Sequence, residues 1–318
     1  MKFVRKIKHT ETSMSQQLTQ STTEPLVVAI TARALFDLEK ENDIYEKSGL
    51  DAYRDYQLKN ESRILEIGTA FHLVSGLLKF NFNSPGEAKK VVTVVVMSSN
   101  SPDLSPRVFK SIEKYNLEID QAVFSSGASI DPYLRSFGVD LFLSRSETEV
   151  RSAISNGIAA AKLYSPPEGF TPDDEEIRIA FDGDAVLFSA EAENIYQKHG
   201  INAFIEHEKN NSKKVLQAGP FAKLLTTLVT LKKNNFGSER KIKLALVTAR
   251  SVATHERVIR TFRNWNVHID QAFFLGGMPK DRILEEFRPH IFFDDQAVHA
   301  LPASRVAPSG KVPVIKAE

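Results

Sequence analysis

Two aspartates stand two residues apart directly after a short, mostly apolar run. The run is Ile177–Phe181, and Asp182 and Asp184 follow it with Gly183 between them. A buried strand over that run puts both carboxylates at its carboxyl end, where ligands bind in open α/β sheets. Gly183 lets the chain turn sharply, because glycine takes backbone angles that other residues resist. The pair is a candidate for catalysis or ligand binding, although acidic turns are common.

Three later segments bring further polar side chains in a fixed order. Leu244–Arg250 has the pattern of a strand that ends in Thr248. Gly276–Lys280 puts a lysine at the start of a helix, and Ile291–Asp295 is an apolar strand that ends in two aspartates. The order and setting of these segments make the Asp-x-Asp pair a strong signal.

Together the four segments resemble the signature of the haloacid dehalogenase-like phosphatases. Within that superfamily the chain resembles the cytosolic 5′-nucleotidases of type I. The sequence motifs that carry this resemblance are DGDAVLFS at Asp182–Ser189, LVTARS at Leu246–Ser251 and RPHIFFDDQ at Arg288–Gln296. The resemblance runs from about residue 25 to the last residue. One departure is Ala190, where the family usually has an aspartate that makes a cap contact or a helix N-cap.

The resemblance implies a role for each polar side chain. Asp182 is the nucleophile that forms an aspartyl-phosphate, and Asp184 protonates the leaving oxygen and then activates water. Thr248 and Lys280 grip the phosphate, and Lys280 also offsets the crowded carboxylates. The implied cofactor is Mg²⁺, which suits oxygen ligands. Its implied ligands are Asp182, the backbone carbonyl of Asp184, and one or both of Asp294 and Asp295.

Structural alternatives exist for each of these residues. The aspartates also suit turns and helix caps, and Thr248 suits a strand end without a ligand. Arg250 is a candidate for holding phosphate or an acidic neighbour, but a surface salt bridge fits it equally well. His207 and Glu208 lie between the first two motifs, where this superfamily often has a cap, so they either face substrate or lie on a solvated helix face.

The composition is that of a soluble globular protein. The 318 residues are 42% apolar and 25% charged, with a net charge of +1 and no cysteine. The charge balance gives no support for a nucleic acid polymer or a membrane as partner. Without cysteine there are no disulfides, thiolate nucleophiles or Cys-ligated metals. No apolar run approaches the roughly 20 residues that span a bilayer.

The first 24 residues are basic and then rich in Ser, Thr and Gln. This composition predicts a disordered tail over residues 1–24. The tail lacks the apolar centre of a secretory signal, so we expect a cytoplasmic protein.

The chain contains an internal repeat. Glu118–Phe124 and His268–Phe274 match at five of seven positions, with an offset of 270 − 120 = 150. Further upstream the offset is 151, which places Gly49 on Gly200. This long register indicates that a whole unit was duplicated.

The repeat and the alternation of apolar strands with helical patterns predict an α/β fold. We expect two Rossmann-like halves with parallel sheets, the second catalytic with a small helical cap. The predicted boundaries are 25–145 for a degenerate half, 146–176 for a connecting helix and linker, and 177–318 for the catalytic half. Ser146 and Glu149 fit a capping box at the start of that helix.

The first half lacks the ionisable set of the second. Thr31 and Arg33 correspond to Asp182 and Asp184, and Ile130 corresponds to Lys280. Ser144 and Arg145 correspond to the aspartate pair at 294 and 295. Because the acids are missing together while the apolar framework persists, we place the chemistry in the second half alone.

The leading functional hypothesis is a magnesium-dependent phosphatase for nucleoside 5′-monophosphates. The alternatives are a phosphatase for another small phosphomonoester and a nucleotide sensor without turnover. The degenerate half is a candidate scaffold, a surface for a homo-oligomer, or a site for a nucleotide effector. The sequence leaves base preference, sugar preference and oligomeric state open.

Overall fold

A computed structural model describes residues 24–83, 90–173, 175–234 and 241–315 of the chain. The predicted disordered tail lies outside the described residues, apart from Glu24. Within the described ranges, no helix is both long enough and apolar enough to cross a bilayer.

The first half alternates strands with helices. Its elements are β1 Leu26–Ile30, α1 Ala32–Leu35, α2 Glu39–Lys59, α3 Phe71–Leu78, β2 Val92–Ser98, α4 Pro106–Lys114, β3 Gln121–Phe124, α5 Asp131–Ser136, β4 Leu141–Ser144, α6 Glu147–Ser155 and β5 Ala159–Leu163. Residues 106–114 have an amphipathic sequence pattern that predicts a helix, and α4 has these ends.

The second half repeats this succession. Its elements are β6 Glu176–Phe181, the turn Gly183–Leu187, α7 Glu191–Asn210, α8 Ala222–Asn234, β7 Lys241–Thr248, α9 His255–Asn264, β8 Gln271–Phe274, α10 Asp281–Phe287, β9 Ile291–Asp294, α11 Ala297–Ala303 and β10 Ser309–Lys311. Residues 255–264 have an amphipathic sequence pattern that predicts a helix, and α9 has these ends.

The ten strands of the described residues belong to one sheet in the order β3-β2-β1-β4-β5-β10-β9-β6-β7-β8. Within each half the paired strands are parallel, and the halves meet where β5 and β10 pair antiparallel. The predicted α/β fold with a largely parallel sheet is confirmed, but the two halves share a single sheet. The equal strand order of the halves is what a duplication would produce, although the duplication stays a prediction.

The segment predicted as connecting helix and linker holds more than those two elements. Residues 146–176 include α6, but also β5, which joins the centre of the sheet. The short run Ala159–Leu163 is three alanines, a lysine and a leucine, so its apolar signal is weak. The predicted domain boundaries stay a prediction.

The capping box is found in part. Ser146 is the N-cap of α6, and its hydroxyl accepts a hydrogen bond from the Glu149 N–H at 3.4 Å. The Glu149 carboxylate accepts instead from the Ser144 hydroxyl at 2.6 Å. In a full capping box the Glu149 carboxylate would accept from the Ser146 N–H, but here it binds Ser144 at the end of β4.

Helices cover both faces of the sheet and interlock the halves. One face has a continuous apolar core that includes Val28 and Val96 of the first half and Ile179 and Leu244 of the second. The other face has a separate core in each half. On the shared face α3 packs on β6 and α8 packs on β1, so each half covers part of the other.

The segment predicted as a helical cap forms α7 and α8. Helix α8 buries Leu224, Leu225 and Leu228 in the shared core, so it belongs to the body of the protein. Helix α7 is mostly exposed and bends at Gly200, whose φ is 78°. Ala190 is the N-cap of α7 and makes no side-chain hydrogen bond there.

Candidate active site

The first and last motifs meet because their strands are neighbours. Strands β6 and β9 pair with Phe181 opposite Phe293. The next residue of each strand is therefore Asp182 on one and Asp294 on the other. The Asp182 N–H donates a hydrogen bond to the Phe293 carbonyl at 2.8 Å, which fixes this register at the strand ends.

Lys280 joins these acids from the start of α10. Its ammonium nitrogen lies 2.8 Å from Asp182 Oδ1 and 2.7 Å from Asp294 Oδ2. A cation at a helix N-terminus is unfavourable by itself. Asp182, Asp294 and Lys280 are all buried, so each carboxylate needs this ammonium as a partner.

Asp295 completes a cluster of three buried carboxylates. One oxygen from each of Asp182, Asp294 and Asp295 lies within 4.8 Å of the others. In the described part of the chain, Asp295 Oδ1 is buried and has no hydrogen-bond partner. Three carboxylates therefore face one ammonium, and one oxygen is left without a donor.

The crowding of the acids changes their protonation. Burial raises the pKa of Asp182 to about 7, and the charges of Asp294 and Asp184 raise it further against the opposing effect of Lys280. Burial also raises the pKa of Asp295 to about 9, with contributions from Asp182 and Asp294. Because both carboxyls favour the neutral form, the cluster retains protons near neutral pH.

These residues fit a divalent cation. Two Mg–O distances add to about 4.2 Å, close to the spread of the three oxygens. Such an ion would balance the two excess negative charges of the fully ionised cluster and would give the unpartnered Asp295 oxygen a partner. Asp184 is outside this cluster, because its side chain turns toward Arg250. Its predicted contact through the backbone carbonyl stays a prediction.

We expect a divalent cation to raise the melting temperature more at about pH 8 than at about pH 6. Because the folded pKa values of Asp182 and Asp295 are raised, the cation-free folded state loses stability as pH rises toward the value for Asp295. A cation replaces the retained protons, so its apparent affinity increases with pH. The measurement is thermal unfolding with MgCl₂ or EDTA. Asp295→Asn should weaken the pH dependence, and equal shifts at both pH values would contradict the expectation.

The turn after β6 differs from the sequence-based expectation. The chain does turn after Asp182, but the left-handed residue is Ala185, with φ 59° and ψ −1°, and not Gly183. Gly183 instead leaves room for the side chains of Thr248 and Phe188, which lie close to its backbone. A Cβ there would lie 3.4 Å from the Thr248 hydroxyl and 3.3 Å from the Phe188 ring.

Thr248 lies where the sequence places it, at the buried end of β7. Its hydroxyl accepts a hydrogen bond from the Arg250 N–H at 3.3 Å and stands next to Gly183. The hydroxyl therefore adjoins the turn that carries the two aspartates of the first motif.

Arg250 forms a bidentate pair with Asp184. Its Nε and Nη2 donate to the two Asp184 oxygens, each at 2.7 Å. Its Nη1 donates to Glu208 at 2.5 Å. Burial opposes the charge of Arg250, but Asp184 and Glu208 raise the pKa of the guanidinium above its usual value. The interpretation of Arg250 as part of a surface salt bridge is wrong, because the side chain is buried. The structure shows it paired with acidic neighbours, Asp184 and Glu208.

Glu208 is a buried ion-pair partner. The other Glu208 oxygen accepts from Arg257 at 2.7 Å, and the carboxylate is fully buried between Arg250 and Arg257. A solvated helix face is therefore wrong for Glu208. His207 is partly exposed, with its ring 3.4 Å from Arg257 and 3.7 Å from Glu191. A role of either residue toward substrate stays a prediction.

Two features of the site are absent from the sequence-based set. Arg257 has a first-half counterpart, Arg107, which also forms a buried ion pair, and this shared arginine was an available signal. His299 on α11 interacts electrostatically with Lys280 and Asp294. Burial lowers the pKa of His299, and Lys280 lowers it further. No motif marks His299.

The chain is similar in sequence to a known protein family. The sequence model of the 5′-nucleotidase family matches residues 18–318. Human cytosolic 5′-nucleotidase 1B is 36% identical over 290 residues, which is 88% of this chain and 47% of that protein. The chain thus spans about half the length of this curated relative.

One solved structure was also found. A crystal structure of histidinol dehydrogenase from Elizabethkingia anophelis is 10% identical, and the match covers 90% of this chain and 79% of that chain with a TM-score of 0.24. A likeness at that score carries no information on fold or function.

Proposed function

This chain belongs to the 5′-nucleotidase family, and we propose that it hydrolyses nucleoside 5′-monophosphates to nucleoside and phosphate. The observation that supports the chemistry most is the buried contact of Asp182 with Lys280 beside two further carboxylates. The nucleotide as substrate rests on the family. A cytosolic location rests on the name of the human relative.

Asp182 is the proposed nucleophile. Its carboxylate oxygen attacks phosphorus, the bond to the nucleoside oxygen breaks, and an aspartyl-phosphate forms. The buried ammonium of Lys280 already contacts this carboxylate and offsets the charge brought by phosphate. The Thr248 hydroxyl is the second proposed phosphate contact. Water then cleaves the acyl phosphate and restores Asp182.

Asp182, Asp294 and Asp295 would hold Mg²⁺, together with the backbone carbonyl of Asp184. When bound, the ion supplies the positive charge that lets an anionic carboxylate approach an anionic phosphate. The buried, unpartnered oxygen of Asp295 supports this assignment. A nucleotide effector and a homo-oligomer stay predictions.

Asp184 is the proposed proton donor and acceptor. It gives a proton to the leaving nucleoside oxygen and later takes one from the attacking water. The bidentate hydrogen bonds from Arg250 hold the Asp184 carboxylate in a fixed position at the end of β6. For the step with the leaving group, one Asp184 oxygen has to leave Arg250. Glu208 keeps that guanidinium paired during the exchange.

The test is phosphate release from a panel of monophosphates with MgCl₂ or with EDTA. We expect nucleoside 5′-monophosphates to be hydrolysed in the presence of the cation and to be inert in EDTA. If sugar phosphates are hydrolysed and nucleotides are not, the proposed substrate is wrong, while the proposed mechanism of phosphate ester hydrolysis still stands. Nucleotide binding without phosphate release from any compound would indicate a sensor.

Arg250→Lys is expected to lower kcat by about 10- to 100-fold while KM changes little. A lysine keeps the charge but loses the two parallel hydrogen bonds that fix Asp184. The measurement is steady-state kinetics against the wild type, with Arg260→Lys on the exposed side of α9 as control. A large rise in KM with unchanged kcat would instead make Arg250 a phosphate ligand.

A further inference from the structure

The first half has its own polar site at the carboxyl ends of its strands, and nothing described above uses it. Thr31 follows β1 and Arg145 follows β4, and the Thr31 N–H donates to the Leu143 carbonyl at 3.0 Å. These positions correspond to Asp182 and Asp295 of the second half. Two acids are thus replaced by a hydroxyl and a guanidinium, which suit an anion and not a cation.

Two guanidinium groups converge at this place on one carboxylate. Arg33 donates to both oxygens of Glu39, at 2.9 Å and 2.8 Å. Arg145 lies 3.1 Å from the same carboxylate and also donates to the Ser165 hydroxyl at 3.2 Å. Asp37 is the other acid that interacts with Arg145. A two-oxygen anion gripped by two arginines is the geometry of oxyanion binding.

The carboxylate that holds the arginines is easily exchanged. The side chain of Glu39 is 43% exposed, whereas that of Arg145 is only 13% exposed. Burial lowers the pKa of Arg145, so this charge gains from any anion placed beside it. Glu39 corresponds to Ala190 of the second half, so the active site has no equivalent carboxylate.

Thr31 supplies an independent observation. Its side chain is more than nine-tenths buried, and its hydroxyl has no hydrogen-bond partner among the described residues. A buried hydroxyl without a partner costs free energy. A ligand oxygen at the strand end would satisfy it, as Lys280 pairs with Asp182 at the corresponding position of the second half.

From these observations we infer that the first half binds the phosphate group of a small molecule or free phosphate. The ligand takes the place of the Glu39 carboxylate between Arg33 and Arg145 and accepts a hydrogen bond from Thr31. Glu39 is thus an internal competitor for the site.

The inferred site is separate from the active site. Ser144, Lys162, Lys311 and Asp294 pair in one row across four adjacent strands. Three strand spacings put the two ends of the row about 14 Å apart. Because the halves run antiparallel, their strand ends face opposite directions. The two sites can therefore be tested independently.

The experiment is calorimetric titration of the full chain with inorganic phosphate in EDTA. Without a cation, the three acids of the second half repel phosphate, so binding there is suppressed. We expect Arg145→Gln and Arg33→Gln to weaken binding at least about tenfold. We expect Glu39→Gln to tighten it at least about fivefold, because the competitor is gone. Arg135→Gln, an exposed arginine of the same half, should change little.

Thr31→Val separates binding from stability. The variant should bind phosphate more weakly and yet melt at a higher temperature without ligand, because the unpartnered hydroxyl is removed. A lower melting temperature with unchanged affinity would make the hydroxyl structural and would contradict its part in the site.

A nucleoside monophosphate titrated in parallel distinguishes the two sources of phosphate. Arg145-dependent binding that is tighter than for inorganic phosphate identifies a phosphomonoester, and equal affinities identify the free ion. The inference is overturned if neither ligand binds the wild type or the Glu39→Gln variant. It is also overturned if the arginine variants bind as tightly as the wild type.

Discussion

Asp182→Asn is expected to lower phosphate release by on the order of 10⁴-fold or more. An amide cannot attack phosphorus as a carboxylate does, so no aspartyl-phosphate forms. The measurement is kcat with a nucleoside monophosphate and MgCl₂. The exposed pair of Asp43 with Lys47 offers the matched control Asp43→Asn, which should keep full activity.

The same substitution should leave the fold intact. It removes one of three buried carboxylates that face Lys280, while the 2.7 Å contact of Lys280 with Asp294 remains. The carboxyl of Asp182 has a raised pKa, so its ionised form costs stability above about pH 7. We therefore expect the cation-free variant to melt no lower than the wild type at alkaline pH.

A second variant protects this test from an artefact. Asp182→Asn creates an Asn-Gly pair that can deamidate back to aspartate, so the mass of the assayed protein has to be checked. Asp182→Ala lacks that route and should be equally inactive. Turnover within tenfold of the wild type in Asp182→Ala, with the mass confirmed, would refute the nucleophile assignment.

The parts of the fold that the sequence predicted are those with a strong local signal. Strands β1 and β2 are buried on both faces, so they are almost continuous apolar runs. The helices α4 and α9 are amphipathic and have the ends that their patterns predict. Asp182, Thr248 and the pair at 294 and 295 lie at the carboxyl ends of β6, β7 and β9, so the convergence of their side chains follows from the sheet.

The features that the sequence missed depend on contacts between distant segments. The single sheet depends on the pairing of β5 with β10, whose residues Leu163 and Gly310 lie far apart in the chain. Arg250 meets Asp184 and Glu208 across separations of 66 and 42 residues. No periodicity records such pairings, and only the fold brings these charges together.

The left-handed turn at Ala185 was missed for another reason. Glycine is the residue that such a conformation favours, so Gly183 attracted the prediction. Gly183 instead allows the Thr248 hydroxyl to lie close to the backbone. The left-handed conformation falls on Ala185, where a side chain makes it strained. Close packing at the site overrode the local preference.

Lys280→Met is expected to lower the free energy of unfolding by about 3–5 kcal/mol at neutral pH without a cation. The side chain is 2% exposed, and its ammonium is the charge that both Asp182 and Asp294 contact. Its removal leaves the buried carboxylates of Asp182 and Asp294 without the ammonium that contacts them both. Activity should also fall by about 10²–10³-fold, since a donor to the transferring phosphate is lost. Chemical unfolding in EDTA and steady-state kinetics measure the two effects.

The first half supplies the internal control for this expectation. Ile130 is the N-cap residue of α5, as Lys280 is of α10, and it is buried with 4% of its surface exposed. An apolar side chain is tolerated there because Thr31 and Ser144 replace Asp182 and Asp294. The cost of Lys280→Met therefore comes from the acids and not from the shape of the side chain.

A double variant separates these two causes. Adding Asp294→Asn to Lys280→Met removes a carboxylate that has lost its ammonium partner. The double variant should therefore lose about 0.5–3 kcal/mol less unfolding free energy than the two single variants lose together. A divalent cation should restore part of the stability of Lys280→Met, because it replaces the missing positive charge. If Lys280→Met unfolds within about 1 kcal/mol of the wild type in EDTA, the acids are already neutral in the folded protein. In that case the Lys280 ammonium would contribute to phosphate binding and not to the stability of the folded protein.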